Sequence, residues 1–95
     1  MAVGTFPQNI ALAANTVLDD TQRNRVIRAT GGTGGGITLT IPAAASNTDQ
    51  LYYVRKVDAD DPVTLDGAFD YVLVNEGQYV AITSNGAVWE VLWQN

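Results

Sequence analysis

The stretch Ile37-Thr38-Leu39-Thr40-Ile41-Pro42 decides the fold class. Ile37, Leu39 and Ile41 fall on one side of an extended chain and Thr38 and Thr40 on the other, the period of a half-buried strand. Pro42 stops it, because proline has no amide proton to give to a sheet ladder. Downstream, Leu51, Tyr53, Arg55 and Val57 alternate with Tyr52, Val54 and Lys56 in LYYVRKV. A third, shorter run, VTL from Val63, ends at Asp66-Gly67.

The intervening segments read as turns. Asp19, Asp20 and Asn24 mark a turn before a strand over residues 25–30. GGTGGG, from Gly31 to Gly36, breaks all regular structure. It is either a flexible surface loop or a backbone that another backbone approaches closely. AAASNTDQ is a connection with room for one helical turn after Pro42, and DADDP is an acidic turn. Near the end, QYVAITS and AVWEVLW flank Asn85-Gly86. That pair suits the positive φ angles of a type I′ hairpin turn. Trp89, Val91 and Trp93 would share one face of the last strand, and both tryptophans are expected to be buried in the core or against another subunit.

No segment of helical length carries a 3.6-residue period. Six or seven short strands with regular turn signals predict an all-β chain. The expected architecture is a small antiparallel β-sandwich or partial barrel with an extended N-terminal arm and no internal repeat. Residues 1–15 form the arm and 16–95 the module. The arm carries no charge and no clean apolar period. Two readings stand: a strand completing the chain's own core, or an arm reaching a neighbouring subunit. Its expected part is attachment rather than folding.

Ninety-five residues make one domain. Folding a chain of this size removes roughly two-thirds of its unfolded surface, so stability is marginal and association adds to it. The chain has apolar groups beyond the needs of one small core, and Phe6, Ile10, Leu12, Tyr52, Tyr53, Trp89 and Trp93 are the interface candidates. Charged residues make up only 16%, with a net charge of −5. Five cations against ten carboxylates argue against binding nucleic acid or an anionic membrane surface. No apolar run is long enough to span a bilayer, and no basic region precedes the first apolar stretch.

The chain has neither cysteine nor histidine, which removes disulfides, thiolate metal sites and imidazole chemistry. GGTGGG lacks the Gly-Lys-Ser/Thr and following helix of a phosphate loop. Asp58, Asp60, Asp61 and Asp66 are the densest oxygen cluster. They lack the central glycine of a calcium loop, and Phe69 stands where its bidentate glutamate belongs. Ser46 and Ser84 have no activating partner, and nothing places Asp66 and Glu90 together in a cleft. No catalytic, cofactor or metal residue is assigned, and the chain is expected not to be an enzyme. Tyr52, Tyr53, Tyr71, Tyr79, Trp89 and Trp93 build either a core with a subunit interface or a carbohydrate platform.

The order of segments carries a resemblance. A Val-Ile strand and glycine-rich gap precede ITLTIPAA, LYYVRKVDA and VTLDG, and YVAITSNG with VWEVL closes the series. This resembles the β-modules of bacteriophage tail-fibre, head-fibre and capsid-decoration (cement) proteins over about residues 16–93. The resemblance implies a structural protein of the virion, in modules that are often trimeric. The size of the chain is similar to that of a capsid cement protein. It implies a homotrimer clamping the major capsid protein on the outer capsid surface, made in the host bacterial cytoplasm. The alternative it implies is a fibre-type receptor-binding module that recognises a surface glycan.

Overall fold

The computed structural model describes residues 9–95. Phe6 and the first half of the expected arm lie outside them. Among the described residues nine strands form two facing sheets. The first six strands alternate between the sheets. β1 (Asn9–Leu12), β3 (Val26–Ala29) and β5 (Leu51–Lys56) lie in one sheet. β2 (Thr16–Val17), β4 (Ile37–Ile41) and β6 (Val63–Gly67) lie in the other. Like strands of successive passes pair in parallel: β1 with β3, β3 with β5, β2 with β4 and β4 with β6. The chain thus makes three stacked coils, each crossing from one sheet to the other. β7 (Tyr71–Leu73), β8 (Tyr79–Ser84) and β9 (Trp89–Gln94) then close the stack with antiparallel pairs.

The all-β, sandwich-like expectation holds, but the sheets are mixed rather than antiparallel throughout. The period of two in ITLTI identifies a buried face and leaves the direction of the neighbouring strand open. A structural repeat is also present. Val26-Ile27-Arg28-Ala29 stacks in register on Tyr53-Val54-Arg55-Lys56, and residues 37–41 stack on 63–67. The matched positions share burial more than identity, which hides the repeat in the sequence.

The inward residues of both sheets make one core. Ile27, Val54, Val80 and Ile82 from one sheet meet Leu39, Ile41, Val63, Leu65 and Leu73 from the other. Ile10 and Leu12 of β1 pack on that core, and Asn15 Oδ1 accepts the Thr38 amide at 2.8 Å. Residues 9–15 therefore belong to the fold rather than to a detached arm, and alternation at Ile10 and Leu12 is the cause. A 3-10 turn at Ala44–Ser46 occupies the expected place after Pro42.

The glycine-rich segment takes the second of its two readings. Residues 31–36 form a corner that lies directly on the corner at 58–62 in the next coil. A Cβ at Gly31 would sit 1.6 Å from the Asp61 carbonyl oxygen. Gly36 combines φ +95° with a Cβ position 2.4 Å from the Pro62 carbonyl oxygen. No other residue fits there. The two backbones are joined by the Asp61 amide to Gly32 O (2.8 Å) and the Ile37 amide to Pro62 O (3.2 Å).

No helix among the described residues is long and apolar enough to cross a membrane.

Candidate functional site

The acidic turn is an internal fastening. Asp58 accepts the Gly31 amide on Oδ1 (3.2 Å) and the Gly32 amide on Oδ2 (3.1 Å), and Asp61 Oδ2 accepts the Gly35 amide at 2.8 Å. Lys56 alternates inward on β5 and is fully buried beneath this corner. Its ammonium donates to Asp58 O (2.6 Å), Asp58 Oδ1 (2.8 Å) and Asp60 O (3.0 Å). A buried charge needs such compensation. The Lys56 hydrogen bond above all, then the Gly32 and Gly31 amides, hold the Asp58 carboxyl down to about 2, against partial burial that pushes it up. Among the described residues no three carboxylates converge on a point where a metal ion would sit.

The tested chemistry-bearing pairs are separated. Asp66 is on β6 and Glu90 on β9, in different sheets. Ser84 is buried and spends its hydroxyl on Ala44 O (2.6 Å) and the Gly86 amide (3.0 Å).

The aromatic residues divide into two groups. Tyr52 and Trp89 are core residues of this chain. Their ring centroids lie 5.4 Å apart, the Tyr52 hydroxyl donates to Asp19 O (2.9 Å), and Trp89 Nε1 donates to Pro42 O (2.8 Å). Burial pushes the Tyr52 hydroxyl pKa up; Arg23 opposes the shift, and Asp19 and Asp20 add to it. Neither ring is available to a partner.

Trp93 is not buried by its own chain; it is 57% exposed. Opposite Trp89 and Val91 stand Ser84 and Ile82, but opposite Trp93 stands Ala81, because the register shifts at Ala81/Ile82. One extra residue in β9 turns every later side chain to the other face. The shared face expected for Trp89 and Trp93 is therefore broken. The hairpin itself is present, but its turn is not type I′. Only Gly86 has positive φ (+95°), and Asn85 Oδ1 accepts the Ala87 and Val88 amides across a four-residue loop.

Two surfaces stand out among the described residues. The first is the end of the molecule that the chain reaches last. Among the described residues β9 and β7 are unpaired on one side, and Val91, Leu92, Trp93, Val72 and Val74 are exposed on or beside them. The second is the outer face of the five-stranded sheet. Val26, Tyr53, Ala81 and Trp93 form one register row, and Ala11, Arg28, Arg55 and Tyr79 form the next. Tyr53 stacks on Tyr79 with centroids 5.6 Å apart. Beside them is an open groove of about 440 Å³ walled by Arg28, Arg55, Tyr53 and Glu76. Of the interface candidates, Tyr53 and Trp93 face outward here, while Ile10 and Leu12 lie half-buried against the core. Sequence reading missed Arg28 and Arg55 as a pair, since only the parallel register brings them together.

No family model, curated protein or solved structure matches the chain.

Proposed function

We propose that this chain is a non-enzymatic structural protein of a bacteriophage particle, a capsid decoration protein that binds the outer capsid surface as a homotrimer. The observation that carries the reading is the free end of the sandwich. Among the described residues β9 and β7 are edge strands, and Val91, Leu92 and Trp93 on one and Val72 and Val74 by the other are exposed. Open edges with apolar side chains associate with other chains unless something covers them. A second copy or a capsid subunit seated there removes that surface from water.

Such a clamp needs no chemistry. It binds the assembled shell and not its separated subunits, so mass action raises the shell's resistance to heat. The stacked coils suit the role: backbone corners locked by Asp58, Asp61 and Lys56 make a stiff block. The acidic balance of the chain favours the outside of the shell, away from packaged nucleic acid. Heating capsids with and without the protein tests the reading. Shells carrying it should open at higher temperature, and Trp93→Glu should abolish the gain. Equal opening temperatures would contradict it.

A second reading, a fibre-type receptor-binding module that recognises a surface glycan, is favoured by one observation: the groove beside Tyr53 with its two outward arginines.

A further inference from the structure

Arg28 and Arg55 are direct register partners on β3 and β5, both exposed on the outer face of the sheet. Like charges side by side on neighbouring strands repel. They are two of only five cations in a chain with ten carboxylates, yet among the described residues neither is in an ion pair. The one ion pair among the described residues is Lys56 with Asp58. Residues 1–8 contain no Asp or Glu, so no side chain there supplies a carboxylate either. Among the described residues neither guanidinium makes a hydrogen bond, and Arg55 lies over Gly77, 3.7 Å from where a Cβ would be. The glycine leaves the fork uncovered.

The surroundings narrow the ligand. Two forks on one row present paired donors to a planar carboxylate. Tyr53, stacked on Tyr79 one row away, offers an aromatic face that packs against the C–H face of a sugar ring. Glu76 also lines the groove and can only accept hydrogen bonds when ionised. A saccharide supplies hydroxyl donors to it. An acidic peptide and a nucleic-acid backbone both offer fewer.

We propose that the groove between Arg28, Arg55, Tyr53 and Glu76 binds a carboxylate-bearing sugar residue, with the two guanidinium groups on the carboxylate, Tyr53 under the ring and Glu76 on ring hydroxyls. This rests on the second reading above, glycan recognition, and not on the capsid role.

The test is calorimetric titration of the full chain with a panel of hexuronate and nonulosonate oligosaccharides. Their methyl esters, their neutral counterparts and hexaglutamate serve as comparisons. An acidic member should bind roughly tenfold or more tightly than its ester, since the ester loses the charge-assisted bonds. Arg28→Gln and Arg55→Gln should each erase that preference. Tyr53→Ala should weaken acid and ester alike, and unchanged circular dichroism in each variant shows that the fold is retained. Equal binding of acid and neutral sugars overturns the carboxylate assignment and leaves glycan recognition standing. Hexaglutamate binding as tightly as the best saccharide overturns the sugar assignment. No binding to any saccharide overturns this proposal and glycan recognition together.

Discussion

The corner at residues 31–36 and 58–62 and the hairpin of β8 and β9 hold their strands in register by different means. At the corner, backbone meets backbone with no room for a Cβ, and carboxylates and a buried lysine tie the coils together. The hairpin is set by a local turn and then slips by one residue, which turns Trp93 out of the sandwich. The corner closes contacts inside the chain, while the hairpin ends in surface left open. The locked backbone and the exposed apolar surface therefore lie at separate places, so substitutions should separate them.

The largest effect is expected at the corner. Gly31→Ala forces a methyl group into the Asp61 carbonyl and should cost about 4 kcal/mol or prevent folding. Gly34→Ala, with nothing within 4 Å of its Cβ position, should stay within about 0.5 kcal/mol of the parent or stabilise slightly. Chemical denaturation of both variants checks the contrast, and similar midpoints would show that the coils are not in contact there.

The two tryptophans make the next test. Trp89→Ala removes a buried ring and its bond to Pro42, and should cost about 3–5 kcal/mol. Trp93→Ala should cost the single chain far less, about 1 kcal/mol, because more than half of its side chain is exposed. Iodide should quench Trp93 and spare Trp89 in any unassociated chain.

The lysine beneath the corner ranks below these. Lys56→Ala leaves three oxygen acceptors without their donor and empties the space of the stem, at a cost of about 2–3 kcal/mol. Lys56→Met, which refills the space, should recover part of that in a thermal melt.

Acid should undo the same fastening. The Asp58 carboxyl is held at about 2 in the folded chain, against about 3.9 when unfolded. A depressed pKa contributes stability that is present above the unfolded value and is lost as pH falls through the folded one. The melting temperature of Asp58→Asn should therefore trail the parent at pH 7, and the gap should shrink between about pH 4 and pH 2. A gap that is constant over this range would show that the Asp58 charge has no part in it.

The same two regions show what could be read from residues alone. ITLTI, LYYVRK and the Asn85-Gly86 hairpin were legible, because alternation and turn residues are local signals. The parallel stacking was not. It pairs Val26 with Tyr53 and Ile37 with Val63, and no local pattern names a partner so distant. Lys56 points inward, against the ordinary preference of lysine, because its acceptors come from the turn that follows. The outward turn of Trp93 depends on a single extra residue in β9, which alternation counted from Trp89 does not reveal. The arginine pair is visible only once the register is known.

In the proposed homotrimer, copies of the chain cover apolar side chains at the β9 and β7 edges. Native mass spectrometry of the protein at micromolar concentration measures this directly. A dominant species of three chain masses is expected for the parent, and single chains for Trp93→Glu. A parent that remains a single chain under those conditions would contradict it.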